Sequence, residues 1–252
     1  MVISIASRPM RGNSLSQYRM REGYNAEDEP PPTYENCQMI LAIDTATRVT
    51  SIALHSEDEV IAEITWRTTD NHTVELAPAV QQMMAVVQVA PRDLRAVAVA
   101  GGPGSYTGLR IGMSLAKGIV LAVSPPPALI AVPTLDIVAY SQPHLAGTLW
   151  VTARAGRGRI NAARYVWDTC WRSADELLLT TWQALTERFA GPVQVAGEGD
   201  AVSRDFLSAR GDATIVATPA VAMRRAACLA EIAAERLRAG EAADSSALAP
   251  VY

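Results

Sequence analysis

The chain has 252 residues, of which 49% are hydrophobic and 19% are charged, and its formal net charge is -4. This length and composition suffice for a substantial core in one large domain or in two lobes, and the mild acidity argues against a protein that grips RNA by itself. Its three cysteines, Cys37, Cys170 and Cys228, are widely spaced and form no CxxC pair, which indicates neither a disulfide framework nor a zinc knuckle.

Residues 1–38 differ in composition from the rest of the chain. They mix arginine, serine, asparagine and acidic residues around a triple proline at Pro30–Pro32, without helical or strand periodicity. We expect this segment to be disordered, or to be translated from a misassigned start codon. The apolar run Val2–Ala6 is too short for a secretory signal, and no run approaches the roughly 18 apolar residues of a membrane span. These features favour a cytoplasmic protein without a membrane segment.

The first lobe is predicted over residues 39–140. Its elements, in chain order, are strands Ile40–Ile43, Ser51–Leu54 and Val60–Arg67, helix Val74–Gln88, strand Arg95–Ala100, helix Ile111–Val123 and strand Ala128–Val132. Three strands followed by alternating helices and strands resemble the opening of an actin-like lobe. The pattern therefore predicts an α/β fold with a sheet at its centre.

The turn between the first two strands carries one carboxylate, Asp44, with Thr45 and Thr47 beside it. In nucleotide-binding folds of the actin, hexokinase and Hsp70 type, an acidic residue followed by threonine or serine at this hairpin faces the phosphates and their metal. Asp and Thr are also favoured in turns because their side chains bond to the nearby backbone. Both interpretations stay open at this point.

A glycine-dense loop, GGPGSYTGLRIG at 101–112, lies between a strand and a helix. Glycines allow positive φ and close approach, and a helix N-terminus favours anions, so the loop is a candidate phosphate site. The sequence matches neither the P-loop pattern nor a strict GxGxxG, so a tight structural turn is the alternative. The candidate residues are Gly101, Gly102, Gly104, Gly108 and the helix-capping Ser105 and Thr107.

A smaller second lobe is predicted over residues 141–252. Its elements are strands Leu149–Ala153 and Ile160–Val166, a third region at Leu178 and Leu179, a short helix Trp182–Phe189, strand Pro192–Ala196, and a terminal helix Ala220–Leu237 with Thr218 as N-cap and Pro219 in its first turn.

Four motifs carry a family resemblance: ILAIDTAT, NHTVELAP, GGPGSYTGLRIGMSLAKG and AVPTLD. Together they resemble the bacterial TsaB (YeaZ) family, most clearly over residues 39–140, and the final APVY resembles the family's closing motif with its last residues missing. The resemblance implies a two-lobed actin-like (ASKHA) fold. It also implies a non-catalytic, required subunit of the machinery that installs threonylcarbamoyl on the tRNA adenosine next to the anticodon.

The resemblance bears on catalysis as well. The catalytic paralogue TsaD carries an HxxxH metal pair after the strand that follows the glycine-loop helix, and the matching positions here are Thr134 and Val138. Valine has no donor atom and a lone threonine hydroxyl is a poor ligand, so we expect no metal site and no catalytic residues. Ser105 lies outside any GxSxG elbow, which argues against a hydrolase. His55, at a strand end, is expected to be solvated.

The resemblance implies partners for the two helices of the first lobe. They would pair with a TsaD-like catalytic subunit in a heterodimer, with a TsaE-like ATPase and tRNA joining the complex, or with a second copy of this chain in isolation. Small and flexible side chains suit such contacts. Alternatively, the apolar stripes only cover this chain's own sheet. The candidate interface residues are His72, Glu75, Leu76, Val80, Met83, Met84, Gly112, Leu115 and Ala116.

Several alternatives stay open from the sequence. We expect no cofactor of the chain's own, although ATP or ADP at a subunit junction is compatible with the family. In the second lobe, Thr152 stands where relatives carry an acid, and the arginines of segment Arg154–Arg159 either touch RNA or phosphate or form a solvated face. An active nucleotide-dependent ASKHA enzyme, such as a small-molecule kinase, and a self-standing homodimeric binding protein are the competing functions.

Overall fold

The computed structural model describes residues 2–4, 38–56, 58–68, 72–145, 147–211, 213–241, 249 and 251. These residues form two six-stranded sheets with helices packed against them. The two-sheet α/β architecture that the sequence predicts is thereby confirmed. Within the described ranges, no helix is both long and apolar enough to cross a bilayer.

The first sheet has the strand order β1-β4-β3-β2-β5-β6. Its strands are β1 Val2–Ser4, β2 Met39–Asp44, β3 Val49–His55, β4 Val60–Arg67, β5 Leu94–Ala100 and β6 Ala128–Val132. Strands β2, β3 and β4 form an antiparallel meander, and β5 and β6 continue the sheet parallel to β2. All six residues of β2 are buried, because helices cover both faces of the sheet.

The edge strand β1 is a feature that the sequence pattern does not predict. It pairs antiparallel with β4, with Ile3 opposite Ile64. Apart from β1 and Gln38, the segment for which we predict disorder lies outside the described residues.

The two faces of the first sheet carry side chains of different size. On one face, helices α1 His72–Val86 and α2 Tyr106–Ala122 cover large residues such as Leu41, Ile52 and Leu54. On the other face, α6 Ala226–Arg238 packs on alanines, among them Ala42, Ala53, Ala96 and Ala98, through its own Ala230 and Ala233. The small side chains on both surfaces let α6 lie close to the sheet.

Helix α6 differs from the terminal helix predicted from the sequence. It begins at Ala226 with Arg225 at the N-cap, rather than at Ala220 with Thr218 as the cap, so the predicted start is wrong. The preceding residues form a turn in which Arg224 and Arg225 reach carboxylates of the first lobe. Although the sequence grouped this helix with residues 141–252, it packs against the first sheet.

The second sheet has the strand order β10-β8-β7-β11-β12, and β9 pairs with β8. Its strands are β7 Thr148–Gly156, β8 Arg159–Asp168, β9 Cys170–Ser173, β10 Leu178–Thr180, β11 Val193–Gly197 and β12 Thr214–Val216. Three helices pack on it: α3 Thr134–Tyr140, α4 Trp182–Thr186 and α5 Ala201–Ser208. The sequence pattern missed β9, β12, α3 and α5, all of which have eight residues or fewer, too short for a clear periodic signal.

His55 is buried rather than solvated, which corrects the expectation from the sequence. It ends β3, is only 4% exposed, and lies near Glu231 and Arg238 of α6 and near Asp58. Its Nδ1 has no hydrogen-bond partner in the described part of the chain. Burial lowers the pKa of His55, and Glu231 opposes that shift.

This burial predicts an acid-sensitive fold. Because the pKa of His55 is lower in the folded state than its ordinary value of about 6.5, stability is fully present above that value and is lost as the pH falls below it. Urea midpoints measured at about pH 7.5 and about pH 5.5 should differ less in His55→Gln than in the parent. His144→Gln, a change at an exposed histidine, should retain the parent's pH dependence. If His55→Gln kept the parent's difference between the two urea midpoints, burial of His55 would not be the cause of the acid sensitivity.

Candidate functional site

A cleft of about 1080 Å³ lies between the two sheets. We call it the interlobe cleft. The first sheet contributes the β2–β3 turn with Thr47 and the start of α2 with Ser105, and the second sheet contributes the end of β7 with Thr152 and the segment Gly197–Gly199 after β11. The predicted hairpin turn and glycine loop therefore meet at one site.

The glycine loop packs tightly on the β2–β3 turn of its own chain. A Cβ on Gly104 would lie 2.3 Å from the Ala46 carbonyl oxygen, and one on Gly108 would lie 2.2 Å from the Thr45 carbonyl oxygen. The Thr45 hydroxyl donates to the Gly108 carbonyl at 2.7 Å, and the Ser105 N–H donates to the Ala46 carbonyl at 2.6 Å. Contacts within the protein thus require glycine at positions 104 and 108. This agrees with the alternative interpretation of the loop as a tight structural turn.

The first part of the loop contacts β6, α3 and the end of the chain. The Gly101 N–H donates to Val132, and the Thr134 N–H donates to the Gly102 carbonyl. The Val251 N–H donates to the Gly101 carbonyl at 2.8 Å, and Gly102, at φ +107°, leaves no room for a side chain beside Val251.

The second part of the loop reaches the cleft. Ser105 is the N-cap of α2 and accepts from the Gly108 N–H at 3.3 Å, while the exposed Thr107 lines the cleft next to it. The N-terminal turn of α2 therefore faces the open space.

Asp44 is held inside the protein rather than presented to the cleft. Its side chain is 1% exposed; one carboxylate oxygen accepts from the Ala46 N–H at 2.9 Å and the other from Arg224 Nε at 2.9 Å. Arg224 also donates to the Thr47 hydroxyl and, at 3.4 Å, to Glu198. Among the residues proposed for the phosphate role in this turn, Asp44 and Thr45 are internally bonded, and Thr47 lines the cleft.

Arg224 is a site residue that the sequence did not reveal. Burial lowers the pKa of its guanidinium, but Asp44 and Glu198 outweigh that effect and the net shift is upward, so the group stays charged. It joins the β2–β3 turn of the first sheet to Glu198, which follows β11 of the second. No local motif marks this arginine, because its partners lie 180 and 26 positions away.

Arg225 anchors the same turn beside Arg224. It donates to Glu63 of β4, and the second oxygen of that carboxylate accepts from the Ala227 N–H at 3.0 Å. Glu63 thus caps the start of α6 while pairing with the adjacent arginine.

Most of the candidate interface residues lie in the core of this chain. Leu76, Val80, Met83, Met84, Gly112 and Ala116 are buried. Leu115 is partly buried, Glu75 accepts from the Trp66 indole at 3.0 Å, and His72 begins α1. As the alternative interpretation held, these stripes cover the first sheet.

A different set of residues forms the outward face of α1 and α2. A groove of about 460 Å³ separates the two helices and is lined by Ala77, Ile111 and Leu115 among others. Ala77, Arg110 and Ser114 are exposed and line the groove, and the exposed residues Val74, Pro78 and Gly118 lie within one helical turn of them. We call this surface the α1–α2 face.

Thr134 and Val138 stand one turn apart on α3, and both are buried. The Thr134 hydroxyl finds no hydrogen-bond partner among the described residues. Neither residue lines the interlobe cleft. In the described ranges, no three His, Cys, Asp or Glu side chains are grouped as metal ligands would be.

Comparison with known proteins gives the family. The family model described as "TsaD: tRNA N6-adenosine threonylcarbamoyltransferase" matches residues 59–252. The chain is 32% identical over 218 residues to the tRNA threonylcarbamoyladenosine biosynthesis protein TsaB of Bacillus subtilis (strain 168), covering 84% of this chain and 93% of that protein. The chain belongs to the TsaB (YeaZ) family.

Further relatives agree. TsaB of Escherichia coli (strain K12) is 36% identical over 131 residues, which cover 51% of this chain and 55% of that one. The structure of YeaZ from Pseudomonas aeruginosa superposes with a TM-score of 0.69 at 23% identity, over 85% of this chain and 99% of that chain, and therefore shares the fold. The names of these relatives place the TsaB family in tRNA threonylcarbamoyladenosine biosynthesis.

The contact between the glycine loop and the β2–β3 turn predicts opposite effects for two substitutions on α2. Gly108→Ala places a methyl group against the Thr45 carbonyl and should cost about 1–3 kcal/mol of unfolding free energy. Gly118→Ala meets open space and should add about 0.5–1 kcal/mol, because alanine favours the helix. Urea denaturation measures both, and equal effects would show that the close approach is not required.

The Arg224 ion pairs predict a large loss on truncation. Arg224→Met leaves Asp44 buried without a counter-charge and should cost about 3–5 kcal/mol of unfolding free energy. The double variant Asp44→Asn, Arg224→Met should lose less than the sum of the single variants, because neither partner is then left as an unpaired charge. Arg154→Met, at an exposed arginine 3.9 Å from Asp200, is the control and should stay within about 0.5 kcal/mol. Additive losses would refute the pairing.

Proposed function

We propose that the chain is a non-catalytic subunit in the synthesis of tRNA threonylcarbamoyladenosine, and that it binds and activates a TsaD-like threonylcarbamoyltransferase. A TsaE-like ATPase would join the assembly, and tRNA would be held by the complex rather than by this subunit alone. The observation that carries the proposal is the likeness to Bacillus subtilis TsaB, which extends over 93% of that protein.

The residues at the HxxxH positions support a non-catalytic role. Thr134 offers only a hydroxyl group and Val138 offers no donor atom. Both residues lie on α3, and both side chains are buried. Imidazole-preferring metals therefore find no ligand of the usual kind there. Catalysis would then fall to the partner subunit.

The α1–α2 face supports docking of the partner. Val74 is 71% exposed, and Ala77, Ser114 and Gly118 are small residues on the surface of adjacent helices. Small side chains let the helices of a partner approach closely, and the groove between α1 and α2 offers an apolar depression for a protruding side chain. Pairing with two helices of a TsaD-like protein would bury this surface.

A substitution at Gly118 tests this surface without disturbing the fold. A Cβ on Gly118 meets no atom within 4 Å, so Gly118→Arg should fold normally while placing a long charged side chain on the docking face. We expect it to lose co-purification with the host's TsaD-like protein and to abolish stimulation in a tRNA threonylcarbamoylation assay. Gly118→Ala and Val202→Arg, the latter at a 77% exposed position on α5, should retain both.

The competing functions predict other outcomes. Size-exclusion chromatography of the chain alone and with the TsaD-like protein separates a self-standing homodimer from a heterodimer. If wild-type chain neither associates nor stimulates, the proposed function fails. Turnover of ATP by the chain alone would favour a nucleotide-dependent enzyme instead.

A further inference from the structure

The hairpin between β7 and β8 is basic, although the chain as a whole carries a net charge of -4. Residues 154–159 read RAGRGR, with three arginines and no acidic residue. Arg154, Arg157 and Arg159 are all exposed. We call residues 154–159 the basic hairpin. From the sequence alone, both RNA contact and a solvated face stayed open for this segment.

The tip of the basic hairpin projects from the protein. Gly156 pairs with Arg159, which leaves Arg157 and Gly158 as a two-residue loop. A Cβ on Gly156 or on Gly158 would meet no atom within 4 Å. Among the contacts of the described residues, no hydrogen bond or ion pair involves the side chain of Arg157 or Arg159. These two side chains are therefore available to another molecule.

Arg157 adopts a backbone conformation that a long side chain disfavours. Its φ is +53° and that of Gly158 is +74°, which is the pattern of a type I′ turn. The first loop position of this turn favours asparagine, aspartate or glycine, because other side chains are strained at positive φ. Since no described residue bonds to the Arg157 side chain, the fold gains nothing from arginine there. A strained residue with an exposed charge indicates a role outside the chain.

The three arginines point in different directions. Arg154 lines the interlobe cleft, and its Nη2 lies 3.9 Å from Asp200 Oδ2. Arg159 lines a separate cavity of about 320 Å³. Arg154 is opposite Ile160 in the strand register and Arg159 precedes Ile160, so the two arginines lie on opposite faces of the hairpin. With Arg157, the basic hairpin carries one guanidinium on each face and one at its tip.

This arrangement fits an RNA backbone better than an acidic protein surface. The narrow major groove of an RNA helix brings the phosphates of both strands close together, so a narrow hairpin meets phosphates on both of its sides. An acidic patch on a protein would face only one of these directions. Arginine also occupies all three positions, and its planar fork matches two oxygens of one phosphate, whereas lysine acts as a point charge.

We propose that the basic hairpin contacts the phosphate backbone of tRNA in the assembled modification complex. The inference rests on the proposed function, which brings tRNA to the complex, and it adds a contact made by this subunit. Phosphate contacts carry no sequence information, so the basic hairpin positions the RNA and does not select it by its bases. Three arginines strengthen binding by a complex without holding RNA alone, which agrees with the acidic net charge.

Fluorescence anisotropy of labelled tRNA with the complete complex, measured at several salt concentrations, tests the proposal. The double variant Arg157→Asn, Arg159→Gln should weaken tRNA binding by roughly tenfold, since two charge-assisted contacts are lost. The slope of log affinity against log salt concentration should become shallower by about one for each arginine removed. Arg157→Lys keeps the charge, so it should retain the slope while losing part of the affinity.

Arg172→Gln is the matched control for loss of an exposed arginine. Arg172 is 63% exposed on β9, which pairs with the end of β8 that is remote from the basic hairpin. Its replacement should leave both the tRNA affinity and the salt slope unchanged.

The stability of the single variant Arg157→Asn separates an RNA contact from a structural role. Asparagine followed by glycine is a favoured pair for a type I′ turn, so this variant should raise the urea midpoint of the chain. It should weaken tRNA binding at the same time. A structural role for Arg157 predicts that the urea midpoint falls instead.

Three results would overturn the proposal. They are unchanged tRNA affinity and salt slope in the double variant, an equal loss in the double variant and in Arg172→Gln, and failure of the double variant to join the TsaD-like protein in size-exclusion chromatography. The last result would assign the basic hairpin to a protein interface. If the wild-type complex still assembles and modifies tRNA, each of them removes this inference and leaves the proposed function standing. Wild-type chain that neither associates nor stimulates removes both.

Discussion

The buried guanidinium of Arg224 is the interaction on which the arrangement of the two sheets depends. It neutralises Asp44 in the first lobe and reaches Glu198 in the second, and it is itself almost wholly removed from water. Separating the lobes would expose unpaired charges at the same time, which makes one relative placement strongly preferred. In this placement the β2–β3 turn and the segment Gly197–Gly199 face each other across the interlobe cleft.

The contact between Arg224 and Asp44 changes how the hairpin turn and the glycine loop at the cleft are interpreted. An acidic residue in a hairpin turn and a glycine-rich loop before a helix suggest a phosphate and metal site when each is considered alone. Here the carboxylate is bonded to an arginine, and Gly104 and Gly108 make room for the backbone of Ala46 and Thr45. Asp44 and these two glycines are therefore used in contacts within this chain.

The regular elements of the first lobe could be predicted because their patterns are local. Strands β4 and β6 have the predicted bounds, since both are rich in apolar and β-branched residues, and β6 is followed by Pro133. The role of Arg224 could not be predicted, because it depends on partners far away in the sequence. The start of α6 could not be predicted either: residues 224 and 225 form ion pairs with the first lobe, and the helix begins after them at Ala226 rather than at Ala220. The apolar stripes of α1 and α2 correctly predicted two helices. They did not show whether each stripe packs on this chain's own sheet or on another protein, because the spacing of apolar residues is the same in both cases.

Helix α6 also constrains how the chain acquires its structure. The alanine surface of the first sheet is covered by residues that follow the entire second sheet in the chain. During synthesis from the amino terminus, that surface stays uncovered, or is shielded by a chaperone, until α6 has left the ribosome. Removal of α6 should therefore destabilise the first lobe before the second.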